Sequence, residues 1–200
     1  MGEQILQIPC QPEHLESSGD MERKKIPIVT FTAAVGEPFM ELSRHSTLTR
    51  FLRVWCIVIR VIKRLRTGRT KWDEITPGEK AGVMVRVIKQ EQALAYGVEI
   101  LQWKVQKGKH MASKSELAQW YPFLDDGILK VGGRLAFGEH LDESMRYPVI
   151  LPKQSALSAL IVRDIHVRCL HAGVQTVIAE SRNDFWIVGL RTMAKRCVRE

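Results

Sequence analysis

Apolar residues recur at intervals of three and four along Leu48, Phe51, Leu52, Trp55, Ile59, Ile62 and Leu65, while Arg50, Arg53, Arg60, Lys63, Arg64 and Arg66 fall largely off that stripe. This is the pattern of a basic amphipathic helix, with Gly68 as its natural stop. Val58 and Val61 broaden the apolar face, which suits packing against the next helix of the chain better than lying alone on lipid. A second helix opens at Thr76-Pro77 with Glu79 in its first turn and runs to about Lys107. Gly82 and Gly97 each weaken it by about 1 kcal/mol relative to alanine, so a break is expected near Gly97.

From Trp120 the period shortens. Tyr121, Phe123 and Leu124, then Asp125-Asp126-Gly127, then Ile128, Leu129 and Val131 predict two short strands joined by a tight turn. Gly132 and Gly133 read as turn glycines, because no lysine and Ser/Thr follow them at the spacing of a phosphate loop. Tyr147 to Pro152 is a third extended segment with a proline near each end, which predicts an edge strand. Leu157, Leu160, Ile161, Val162 and Ile165 mark a further helix ending around Cys169, and Val174, Val177 and Ile178 start another. Phe185 to Val188 reads as a short extended link, followed by a last helical turn from near Leu190. The fold expected is α+β and mainly helical. It divides into a leader without sustained periodicity (1–43), a basic amphipathic helical region (44–110), a small β-hairpin region (111–153) and a carboxyl-terminal helical module (154–200).

Charge sharpens this picture. The chain has 200 residues, 45% hydrophobic and 26% charged, enough for one or two modest modules, and carries a formal net charge of +8. Residues 1–43 hold seven acids and three bases, 44–72 hold nine bases and no acid, and 73–200 hold fifteen acids and eighteen bases. The excess therefore sits on the first amphipathic helix and its exit. Three readings compete for it: a packed helix with a solvated basic face, a surface for polyphosphate, and a membrane-surface helix. Cysteines at 10, 56, 169 and 197 lack the spacing of a secreted disulfide scaffold, and the first residues lack a signal-type apolar core. A reducing intracellular compartment is expected, and the basic run from Lys63 to Lys71 loosely resembles a nuclear signal. Leu6 at the sixth position argues against myristoylation of Gly2. The longest apolar run, Val54 to Ile59, is fenced by Arg53 and Arg60 and is far too short to cross a bilayer.

The sharpest chemical signal is His166, His171 and Cys197, with Glu200 closing the chain. Imidazole and thiolate are preferred zinc ligands, and a closed tetrahedral site would staple a small domain. Each histidine also has an ordinary reading, His166 as a surface residue of its helix and His171 as a helix-terminal residue bonded to a carbonyl. Cys169 reads as a buried cysteine, Arg134 as an ion-pair partner of Asp125 or Asp126, and Trp55 and Trp186 as core residues rather than base-stacking platforms.

His45-Ser46-Thr47-Leu48-Thr49-Arg50, Pro122 through Leu135 (PFLDDGILKVGGRL), Pro148-Val149-Ile150-Leu151-Pro152-Lys153 and His171-Ala172-Gly173-Val174-Gln175-Thr176 closely resemble the integrase region of Bel/Pao-type LTR retrotransposon polyproteins. The resemblance covers residues 44 to 200. It implies a His-His-Cys-Cys zinc module with His166, His171 and Cys197 at matching positions and Phe185-Trp186-Ile187 as its aromatic link. Glu200 stands where the family pattern places the second cysteine, so either its carboxylate completes the site or the fourth ligand is absent. The strand-transfer triad of two aspartates and a glutamate belongs to a domain beyond the zinc module, and Asp125, Asp126, Asp142 and Glu143 occupy hairpin or loop positions unsuited to that role. The resemblance therefore implies a non-catalytic polyprotein fragment that takes zinc, self-associates and meets the phosphates of DNA or RNA, with no small-molecule substrate and no membrane. Arg50, Arg53, Arg60, Lys63, Arg64, Arg66, Arg69 and Lys71 are the expected phosphate contacts. Neutralising about five to seven phosphates would give a salt slope of about −5 to −6. The competing expectation is a zinc-free helical remnant whose basic helix docks on an acidic protein partner.

Overall fold

Helix α1 (Leu48–Thr67) starts where the Thr47 hydroxyl accepts the Arg50 amide at 3.3 Å, and ends where Gly68 turns left-handed (φ 67°) and returns its N–H to the Arg64 carbonyl. The computed structural model describes residues 40–68, 73–105, 115–133, 138 and 140–199. Most of the expected leader, the phosphate contacts Arg69 and Lys71, the ion-pair candidate Arg134 and the ligand candidate Glu200 lie outside the described residues.

Helix α2 (Pro77–Val105) opens with a reciprocal capping box: the Thr76 hydroxyl accepts the Glu79 amide at 3.3 Å and the Glu79 carboxylate accepts the Thr76 amide at 2.9 Å. The expected break falls at Tyr96 (φ −127°, ψ 25°), immediately before Gly97. A 3₁₀ turn (Ala118–Trp120) leads into strands β1 (Phe123–Asp125) and β2 (Ile128–Lys130). Asp126 (φ 43°) and Gly127 (φ 76°) are both left-handed between them, as a two-residue hairpin of the primed type requires. A single turn, α3 (Glu143–Arg146), precedes β3 (Val149–Leu151), and α4 (Ala156–Arg168), α5 (Val174–Ser181), β4 (Phe185–Ile187) and α6 (Leu190–Arg199) complete the chain. The fold is α+β and mainly helical, as the sequence indicates.

Two expectations about the strands are corrected. The segment around Val149 is not an edge strand, because the sheet order is β1-β2-β3-β4. Pro148 and Pro152 flank the three-residue strand, so their missing N–H groups fall outside its ladder, and the Pro148 carbonyl still accepts the Val131 amide at 2.9 Å. The Phe185 segment is not a link but strand β4, parallel to β3 with Val149 opposite Phe185. A parallel pair needs a long crossover, and α4 and α5 supply it.

Alternation along these strands sends side chains into two apolar clusters. Ile128, Leu151 and Ile187 join the larger one, built from α1, α2, α4, α5 and α6 around Phe51, Val83, Val87, Leu157, Ile161 and Val177. Leu129, Ile150 and Trp186 face the smaller one, with Leu117, Val131, Trp120 and Ile100. The larger cluster draws buried residues from each of the regions 44–110, 111–153 and 154–200. Gln92, fully buried, ties helix to sheet: its amide nitrogen donates to the Leu129 and Ile150 carbonyls at 2.8 and 2.7 Å, and its oxygen accepts the Leu129 amide at 2.8 Å. Gly132 is confined by packing, since a Cβ there would sit 2.6 Å from the Tyr121 carbonyl oxygen.

Candidate nucleic-acid interface and histidine pair

Helix α1 turns one side to the core and the other to solvent. Leu48, Phe51 and Cys56 are buried, and Leu52, Trp55 and Ile59 pack partly against the same cluster. Leu65 departs from the expected stripe and is 82% exposed. Arg50, Arg53, Lys63, Arg64 and Arg66 are all exposed. Arg50, Arg53 and Arg64 share one outward face, since spacings of three and fourteen residues return to nearly the same side of a helix. Beside them runs an exposed aliphatic strip of Val54, Ile57, Val61 and Leu65.

Arg60 is the exception among the expected phosphate contacts, because its guanidinium is turned inward. It is buried, donates through Nε and Nη2 to both oxygens of Glu79 at 2.8 and 2.7 Å, and caps the carbonyls of Asp73 and Glu74 at 2.5 and 3.0 Å. This bidentate fork stitches α1 to the start of α2 and leaves the guanidinium turned inward. Its hydrogen bond, reinforced by the Thr76 amide, holds the Glu79 carboxyl down at about 2, and Glu79 in turn raises Arg60 above its ordinary value. Burial raises the neighbouring Cys56 thiol.

At the end of α4 the chain builds a Schellman turn. The Leu170 amide donates to the Val167 carbonyl at 3.0 Å and the His171 amide to the His166 carbonyl at 2.9 Å. Leu170 (φ 53°) and His171 (φ 59°) both take left-handed conformations to do so, although neither is glycine. The turn folds His171 back onto its own helix and sets its Nδ1 3.2 Å from Nε2 of His166, with the rings edge to face. His166 is buried, and its Nδ1 is the buried side-chain polar atom left without a partner among the described residues.

These two rings fit a shared metal as far as two ligands can. With zinc–nitrogen bonds of about 2.0–2.1 Å, the edge of a tetrahedron is about 3.4 Å, close to the 3.2 Å observed. The structure brings His166 and His171 together but does not add Cys197 to them: among the described residues no group of three or more His, Cys, Asp or Glu is arranged to hold a metal ion. Cys197, half-buried on α6, instead lines a cavity of about 200 Å³ with His45, Leu160, Arg163, Met193 and Arg196. Cys169 is half-buried rather than buried. Among the described residues no helix is long and apolar enough to cross a membrane.

Sequence reasoning passes over two residues that matter. Glu79 is legible as a cap but not as the partner of Arg60, and Gln92 gives no signal at all, since a polar residue in a helix ordinarily faces water. Comparison with known proteins returns no matching family model, no matching curated protein and no matching solved structure.

Proposed function

We propose that this chain is a non-catalytic, integrase-derived nucleic-acid-binding module that meets phosphates through the outward face of α1. The observation that carries this reading is the sorting of the α1 bases. One arginine is spent inside on Glu79, and Arg50, Arg53 and Arg64 stand exposed on one face of a helix that contains no acid. Such contacts supply affinity without sequence specificity. The resemblance to Bel/Pao-type integrase regions supports the same reading and adds self-association and zinc. Zinc, when bound, supplies a structural tie between elements. The chain's own contribution is the Schellman turn, which holds His171 against His166; Cys197 is the third ligand the resemblance implies, and Glu200 stands where it places a second cysteine, so the carboxylate completes the site or the fourth ligand is absent.

A second reading, a zinc-free protein-interaction module, is favoured by the exposed strip of Val54, Ile57, Val61 and Leu65, because phosphates offer nothing to aliphatic side chains. Fluorescence anisotropy with labelled duplex DNA separates the two. The nucleic-acid reading expects the triple variant Arg50→Gln, Arg53→Gln, Arg64→Gln to weaken binding at least tenfold and Ile57→Ser with Val61→Ser to leave it unchanged. Absence of binding by the wild-type chain at low salt refutes that reading.

A further inference from the structure

The chain carries a second candidate contact on the other face of the sheet. Strand β4 lies at the sheet edge, and Trp186 faces the side that holds the smaller apolar cluster, where it is only half-buried. Trp120 packs beside it with ring centroids 6.2 Å apart and planes inclined at 59°, so the two indoles form an angled wall. Arg182, the residue that ends α5, lies over the Trp186 ring with its guanidinium carbon 5.7 Å from the ring centre, a cation–π contact that an incoming base would share or displace. Arg191, in the first turn of α6, joins Arg182 and the two tryptophans in lining a cleft of about 250 Å³ whose lining includes no acidic residue. Both arginines are exposed.

A half-exposed aromatic wall flanked by two guanidiniums that have no carboxylate partner among the described residues selects for a planar ring that carries negative charge. The indole faces take the ring by stacking, and the forked donors take phosphate oxygens. In a duplex the base faces are already stacked on one another, so a wall of this kind meets an unpaired nucleotide.

We infer that the Trp120–Trp186 cleft holds one unpaired nucleotide of a single-stranded nucleic acid, its base against the indoles and its phosphate between Arg182 and Arg191. The inference rests on the nucleic-acid reading above and adds to it a preference for single strands. Trp186 is thereby assigned a face for stacking as well as a place against the smaller cluster.

The test uses the full chain, a short fluorescein-labelled oligothymidylate and a duplex of the same length. The double variant Arg182→Gln, Arg191→Gln, altered only at exposed positions, is expected to bind the single strand about tenfold or more weakly and to lower the ratio of single-strand to duplex affinity. Trp186→Phe should retain most single-strand affinity and Trp186→Leu should lose it, with circular dichroism confirming that each variant is folded. An unchanged ratio in the double variant overturns the cleft assignment; if the α1 triple variant still weakens both forms, the broader reading survives. Failure of the wild-type chain to bind either form overturns both. Saturable quenching of tryptophan fluorescence by thymidine monophosphate that equals the oligomer in affinity, and is lost in the double variant, assigns the cleft to a free nucleotide and overturns its role in strand binding.

Discussion

Gln92→Leu removes a fully buried amide without greatly changing the volume it fills. Three interactions disappear together: the two bonds to the Leu129 and Ile150 carbonyls and the one from the Leu129 amide, at 2.7 to 2.8 Å. The backbone groups left behind cannot turn to water, since Leu129 and Ile150 are themselves fully buried. The direct ladder between β2 and β3 is a single register pair, Lys130 opposite Val149, so the Gln92 side chain occupies the place where that ladder would otherwise continue. A net worth of about 1 kcal/mol per bond, plus the cost of the orphaned groups and less the gain from an added apolar side chain, gives a loss of about 3–5 kcal/mol. That is a large part of the stability of a domain of this size. Urea unfolding followed by far-ultraviolet circular dichroism should show a lower midpoint at an unchanged slope. Gln90→Leu is the control: its amide bonds the Met40 backbone at 3.0 and 3.1 Å but is only half-buried, and it should cost clearly less. A Gln92→Leu chain within about 1 kcal/mol of wild type would refute the assignment of Gln92 as the tie between helix and sheet.

Other expectations follow from the same geometry. The Glu79 carboxyl is held at about 2 against an ordinary 4.5, so its contribution to stability is complete above about pH 4.5 and is lost as the pH falls toward 2. Glu79→Gln should flatten that part of the curve of unfolding midpoint against pH. Leu170→Gly relieves a left-handed residue that is 88% exposed and should raise stability by about 0.5–1 kcal/mol, read as a higher thermal midpoint. Zinc added to chelator-treated protein should raise the thermal midpoint of the wild type and leave that of His171→Ala unchanged; equal response in both would remove the histidine pair from any metal site.

Local features of the fold were legible because local chemistry decides them. Thr47 and Gly68 delimit α1, Thr76 with Glu79 opens α2, Gly97 marks its break, and Asp126-Gly127 makes the hairpin turn. Features that depend on distant partners were not. Arg60 looks like its neighbours in sequence, and only Glu79 from the next helix draws it inward. Phe185 to Ile187 is too short to announce a strand, and becomes one because β3 lies alongside. The same applies to Pro148 and Pro152, whose positions just outside β3 let that strand sit inside the sheet. Of the candidate site, the histidine pair and the exposed bases of α1 could be read from spacing and charge. The cleft beside Trp186 could not, since it requires a tryptophan from before the hairpin and arginines from two helices.

The salt dependence of duplex DNA binding tests the central claim most directly. With Arg60 committed to Glu79, the proposed reading has the outward arginines of α1 together with Lys63 and Arg66 neutralising about three to five phosphates, so the logarithm of affinity should fall against the logarithm of salt with a slope of about −3 to −4.5. The Arg50, Arg53, Arg64 triple variant should bring that slope close to −1, whereas a flat response in the wild-type chain, or an unchanged slope in the variant, would contradict phosphate binding through α1.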